Sequence, residues 1–175
     1  MTQPDTHLET ASSSGDTEAS DSAPSPRGEV RIRLFARTDV GQIREHNEDN
    51  FLVADLSRKT RGVLDTSRSA VVGPHGALFA VCDGMGGAAA GEIASQLAVD
   101  ILYERMLDAL PEGENIPRDE LARRLVRAVE AAGLRIFQEA KLDRSRRGMG
   151  TTVTAATLVD DHLFLAQVGD SRGYI

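Results

Sequence analysis

The chain has 175 residues, a formal net charge of −7, a single cysteine, and 41% hydrophobic and 27% charged residues. That length suggests one domain with material for a real core; no apolar run is long enough to span a membrane or ordered like a signal peptide, so the expected setting is soluble and cytoplasmic. The charge is local: residues 1–29 carry six acids (Asp5, Glu9, Asp16, Glu18, Asp21, Glu29) against Arg27, which is −5 of the −7, and the nearly neutral remainder has no basic run interleaved with aromatics, so no nucleic-acid partner is expected.

Residues 1–29 are rich in Ser, Thr, Asp, Ala and Pro and contain no aromatic residue. Such a composition cannot repay the entropy of ordering, so they are expected to form a disordered acidic tail. The folded domain is expected over 30–175. Val30, Ile32, Leu34 and Ala36 alternate with Arg31, Arg33, Phe35 and Arg37 as in a strand with one buried face. Thr38-Asp39-Val40-Gly41 turns the chain into the polar run Gln42 to Asn50, and Phe51 to Ala54 reads as a second strand. The polar stretch from Asp55 to Gly76 reads as a surface loop.

Ala77 to Cys82 is a wholly apolar run of the kind a buried strand shows, ending at Asp83 and the glycines of Gly84-Met85-Gly86-Gly87. From about Gly91 the pattern is helical, with Ile93, Leu97 and Ile101 beside Ala94, Ala98 and Leu102, and the helix ends before Pro111. A second helix follows Pro117, its apolar stripe formed by Leu121, Leu125, Val129, Ala132 and Ile136; Arg123, Arg124, Arg127, Glu130 and Arg135 read as its solvated face. After Gly148-Met149-Gly150, Thr151 to Val159 and Leu163 to Val168 read as a hairpin turning at Asp160-Asp161, and Gly173-Tyr174-Ile175 as the start of another strand.

The glycine loop after Asp83 admits three chemistries. A dinucleotide fold would use Gly84-x-Gly86-x-x-Ala89, but it needs an acid closing a second strand about 20 residues on, and Asp108 lies near a helix end instead. A P-loop needs Gly-Lys-Ser/Thr, and the only lysines are Lys59 and Lys141. The third reading takes Asp83 as a metal ligand, with glycines allowing metals and a phosphate to approach the backbone, and it requires further carboxylates elsewhere. Cys82 as a phosphatase nucleophile would need an arginine six positions on, where Ala88 stands; it reads as a small buried hydrophobe.

The carboxylates occur in ordered segments: Thr38-Asp39-Val40-Gly41 with Arg44-x-x-Asn47-Glu48-Asp49, then Asp83-Gly84-Met85-Gly86-Gly87 with Gly91 and Ala94-Ser95, then Gly150-Thr151-Thr152, then Gly169-Asp170-Ser171-Arg172-x-Tyr174. In this order they resemble the bacterial members of the metal-dependent protein phosphatases, the PPM or type 2C serine/threonine family. The resemblance implies an α+β fold, an αββα sandwich of two antiparallel sheets flanked by helices, with two Mg²⁺ or Mn²⁺ ions at one end. It implies that Asp83 bridges both metals, that the Gly84 carbonyl binds one, and that Glu48 and Asp49 hold metal-bound waters. Arg44 would clamp the substrate phosphate, and Asp170 would help hold a third, weaker ion. Where eukaryotic relatives often carry a histidine this chain has Met85, as bacterial members do, and His46 reads as a polar-turn residue.

The function so implied is hydrolysis of phosphoserine and phosphothreonine in proteins by a metal-bound hydroxide, without a phosphoenzyme, in opposition to a serine/threonine protein kinase. Hard divalent cations favour such oxygen ligands, and a bidentate arginine fork suits a phosphoryl group. The family pattern continues past the position of Ile175 with further strands and aspartates, so the expectation is the front part of a phosphatase domain, weakly active or inactive alone. The competing reading is a non-catalytic PPM-like binding or scaffold module, which has no need of Arg44, Glu48, Asp49 and Asp83.

Overall fold

The computed structural model describes residues 29–62, 69–86, 90–111 and 115–175. The expected tail, apart from Glu29, and Gly87 of the glycine loop lie outside them. The elements in chain order are β1 (Arg31–Arg33), β2 (Asp49–Asp55), β3 (Thr60–Arg61), β4 (Ser69–Val71), β5 (Ala77–Met85), α1 (Ala90–Leu107), α2 (Arg118–Leu142), a 3-10 turn (Arg144–Arg146), β6 (Gly150–Thr151), β7 (Val153–Val159) and β8 (His162–Val168). They form two antiparallel sheets, β1-β4 and a larger one in the order β3-β2-β5-β7-β8, with β6 also pairing β5. The expected α+β architecture of two antiparallel sheets with flanking helices is therefore present.

Strand alternation sorts the larger sheet into two faces. On one, Leu52, Ala54, Leu78, Ala80, Cys82, Val153 and Ala155 are buried against α1 and α2. The register pairs Leu52 with Ala80, Ala54 with Leu78 and Leu78 with Thr157, so these residues share that face. The buried Thr157 hydroxyl donates to the Ala77 carbonyl at 3.1 Å, which satisfies its one polar group there. On the opposite face Val81, Leu163 and Leu165 are 54%, 45% and 53% exposed.

Helix α1 meets the sheet through Ala94, Ser95, Ala98, Val99, Leu102 and Met106. Small residues early in the helix bring its axis close to the strands, so the buried stripe is centred on Ala94-Ala98-Leu102, while Ile93 and Leu97 are only partly buried. Helix α2 buries Leu121, Leu125, Ala132 and Ile136 as its periodicity predicts, but Ala128 rather than Val129 completes the stripe, Val129 being only partly buried, and Pro117 stands at its N-cap. Among the described residues no helix is long and apolar enough to cross a membrane.

Four sequence expectations are corrected. The polar stretch after Asp55 is not all loop, because β3 pairs β2 at Ala54 and Asp55, and β4 pairs β1. Strand β5 does not stop at Cys82: Gly84 and Met85 pair with Thr151 and Gly150, which carries the strand through the acidic position. Gly173-Tyr174-Ile175 forms no strand. Arg124 is not a solvated residue. Its side chain is 17% exposed, it donates to the Asp108 and Ala109 carbonyls just beyond α1, and it lies 3.3 Å from Glu120, so it caps the carboxyl end of α1.

Candidate metal and phosphate site

The candidate site lies where β2 and β5 meet on the face away from the helices. The register sets Asp49 directly opposite Asp83, following Phe51 opposite Val81. Two carboxylates opposed across neighbouring antiparallel strands repel each other, an arrangement that ordinarily costs stability. Asp49 accordingly has its carboxyl raised above the usual carboxylate range, first by burial and then by the charge of Asp83 and a hydrogen bond to it, with Arg44 opposing the shift. A divalent cation against both oxygens would turn that repulsion into attraction.

The loop preceding β2 builds the rest of a cleft of about 400 Å³ lined by Arg44, His46, Asn47, Glu48, Asp49 and Asp83 among others. Its shape is set by local hydrogen bonds. The Asp39 carboxylate accepts from the Gly41 amide at 2.9 Å, and Gly41 takes a φ of +75°, which favours glycine. The Asn47 amide nitrogen donates to the Thr38 hydroxyl at 2.6 Å, and its oxygen accepts from the Asp49 amide at 3.1 Å. Asn47 thus ties both ends of the loop to the start of β2. Arg44 reaches Glu48 at 3.7 Å with its side chain 74% exposed, while that of Glu48 is only 12% exposed. The guanidinium is therefore held near the cleft yet open to an anion.

Two glycines fix Glu48. The Gly84 amide donates to the Glu48 carbonyl at 3.2 Å. A Cβ on Gly84 would fall 2.1 Å from the Gly91 carbonyl oxygen and 2.6 Å from that of Glu48. A Cβ on Gly91 would fall 2.8 Å from the Glu48 carboxylate, so that carboxylate occupies the space a side chain would fill in the first turn of α1. An acid there is favourably placed toward the helix amino end.

Behind Asp83 the two threonines of Gly150-Thr151-Thr152 clamp the backbone. Thr152 donates its amide to the Asp83 carbonyl at 2.9 Å and accepts the Asp83 amide on its hydroxyl at 3.0 Å. The Thr151 hydroxyl donates to the same carbonyl at 3.0 Å. Ser171 contacts the Thr152 hydroxyl at 2.8 Å, which brings the Gly169-Asp170 turn to this end of the sheet.

The structure therefore gathers Arg44, Glu48, Asp49 and Asp83 into one cleft. Gly84 is buried immediately behind it, and Asp170 is exposed and does not line it. Asn47, Gly91, Thr151 and Thr152 lie within the same motifs and position the site, a role that depends on partners distant in sequence. Cys82 faces the helices, fully buried, its thiol pushed up to about 12 by desolvation, consistent with a packing role. The donor set is all oxygen, which suits Mg²⁺ or Mn²⁺; among the described residues no three acidic, histidine or cysteine side chains converge as a complete metal centre.

The chain is similar to known proteins in sequence and in fold. A profile of the protein phosphatase 2C family matches residues 64–174. The serine/threonine phosphatase stp of Listeria innocua is 33% identical over 139 residues, covering 79% of this chain and 48% of its own length. The serine/threonine protein phosphatase PstP of Mycobacterium tuberculosis is 35% identical over 144 residues, 82% of this chain and 23% of that protein. The solved catalytic domain of PstP in complex with two manganese ions superposes with a TM-score of 0.55 at 33% identity, covering 83% of this chain and 49% of that one. The chain thus spans about half or less of these relatives, and over that span, with the family's motifs assembled at one end of a two-sheet fold, it belongs to the protein phosphatase 2C family.

Proposed function

We propose that this chain carries the phosphate-binding and metal-facing part of a protein serine/threonine phosphatase that hydrolyses phosphoserine and phosphothreonine in proteins, opposing a serine/threonine kinase. The observation that carries the reading is the opposed pair Asp49 and Asp83 in a cleft with Glu48 and the exposed Arg44. Mg²⁺ or Mn²⁺ bound there would supply a more acidic attacking water and offset charge on the phosphoryl oxygens.

In this reading Asp83 and the Gly84 carbonyl hold two cations, and Glu48 and Asp49 orient their waters. Arg44 grips the phosphoryl oxygens, its 74% exposed side chain free to turn from Glu48 toward a ligand. Asp170 serves a third, weaker cation. The thiol of Cys82 is buried and turned away, so no cysteinyl phosphoenzyme forms.

Hydrolysis of a phosphothreonine peptide with Mn²⁺, with chelator, and by Asp83→Ala tests the proposal. Metal-dependent turnover lost in Asp83→Ala supports it. The second reading, a non-catalytic module, draws on the lack of a three-ligand metal cluster among the described residues. A folded, metal-loaded protein without turnover would favour that reading.

A further inference from the structure

The strongest unassigned feature is a groove of about 730 Å³ between the carboxyl end of α2 and the segment leading into β6. Its floor includes the buried Ile136 and Met149, and the 57% exposed Phe137 stands on its wall. Gly133 opens the α2 side: a Cβ there would meet nothing within 4 Å, although glycine inside a helix costs about 1 kcal/mol.

The charges of this groove differ from those elsewhere on α2. Arg118, Arg123, Arg124, Arg127 and Arg135 each have a carboxylate within 3.6 Å, and Arg146 is held by Glu139 and Asp143. Lys141, Arg144 and Arg147 line the groove, and among the described residues none of the three has a carboxylate within ion-pair distance. Lys141 instead lies 4.1 Å from the centre of the Phe137 ring. Three cations without acids, set around an aromatic ring and an apolar floor, complement a segment carrying acids and an apolar side chain.

The groove also touches the candidate site. Its wall includes Thr151, which pairs with Gly84 and donates to the Asp83 carbonyl. The phosphate cleft borders β5 on its β2 side and the groove borders it on its β6 side. The cleft lies on the face of β5 away from the helices and the groove on its helix side, so a peptide spanning both must cross about 10 Å of strand spacing and also pass from one face of the sheet to the other, roughly five extended residues.

We propose that this groove docks the substrate: it takes an acidic segment containing an apolar residue, beginning roughly five residues from the phosphorylated serine or threonine. The proposal rests on the phosphatase reading and adds a substrate class to it. The test is fluorescence anisotropy of the full chain with three labelled peptides. The first is a phosphothreonine peptide with an Asp/Glu/Leu segment about five residues away, the second the same peptide with its acids as amides, and the third the acidic segment without phosphate.

The expected result is at least tenfold tighter binding of the acidic phosphopeptide than of its amide counterpart at low salt, with measurable binding of the unphosphorylated acidic segment. Arg144→Glu with Arg147→Glu should abolish that preference. Gly133→Phe, which fills the groove from an open position and leaves every charge in place, should weaken both acidic peptides alike. Equal binding of acidic and amide peptides, or a preference untouched by the charge reversal, would overturn the proposal. So would a preference that emerges only when Asp5, Glu9, Asp16, Glu18 and Asp21 are replaced by amides, because the groove would then belong to the chain's own acidic segment. Hydrolysis is read separately, so failure of the phosphatase reading leaves a different signature: acidic-segment binding without turnover.

Discussion

The two faces of the larger sheet are built from the same strands and end in opposite states. Toward the helices, Leu78, Leu102, Leu121 and Cys82 are fully buried. Away from them, Val81, Leu163 and Leu165 are about half exposed, and the same face ends in the opposed acids Asp49 and Asp83. Strand alternation makes both outcomes from one run: in Val81-Cys82-Asp83, Cys82 points into the core while its neighbours point to the site face. Stability resides on one face and the candidate chemistry on the other, two residues from exposed apolar side chains.

The largest effect expected from this contrast is on unfolding. Leu102→Ala should cost about 3 kcal/mol in urea denaturation, whereas Leu165→Ala on the other face should change stability by no more than about 0.5 kcal/mol. Similar losses for the two would erase the distinction. Next comes Gly84→Ala, which sits on β5 but clashes with backbone from both the Glu48 loop and α1. It should cost about 2 kcal/mol and weaken Mn²⁺ binding as well, since it forces apart the segments that form the cleft. An unchanged melting temperature with unchanged metal affinity would contradict that placement.

A smaller effect is electrostatic. Because the Asp49 carboxyl is raised above its ordinary value of 3.8, its contribution favours the fold fully below that pH and is lost as pH rises through the higher folded value. In chelator-treated protein Asp49→Asn should therefore raise the melting temperature at pH 7, and the gain should vanish below about pH 4. A loss of stability at pH 7 would mean that the opposed acids do not repel. Last, Cys82, its thiol pushed up to about 12, should resist a thiol reagent at pH 8 in the native protein and react once unfolded.

What the sequence disclosed follows the same division. The helix-facing strands and both helices were legible because burial imprints a period, in Ala77 to Cys82, in the 153–159 and 162–168 hairpin, and in Leu121, Leu125 and Ile136. Strands β3 and β4, of two and three residues, are too short to carry a period, and β5 reaches Met85 only through pairing with Gly150 and Thr151, distant in sequence. Arg124 looked solvated because its partners, the Asp108 and Ala109 carbonyls, belong to another helix end. At the site, ordered motifs named Arg44, Glu48, Asp49 and Asp83, but local spacing could not show that Asp49 opposes Asp83 or that Gly91 makes room for Glu48. Asp170 was named by the same motifs and stands outside the cleft lining.

The central claim is that the opposed Asp49 and Asp83 form a divalent-cation site on the face away from the helices. Calorimetric titration of Mn²⁺ into the chain and into Asp83→Asn tests it most directly. The account predicts saturable binding by the parent chain, weakened at least tenfold by Asp83→Asn while the fold is retained. Equal affinity in the two proteins, or no binding by a folded parent chain, would contradict it.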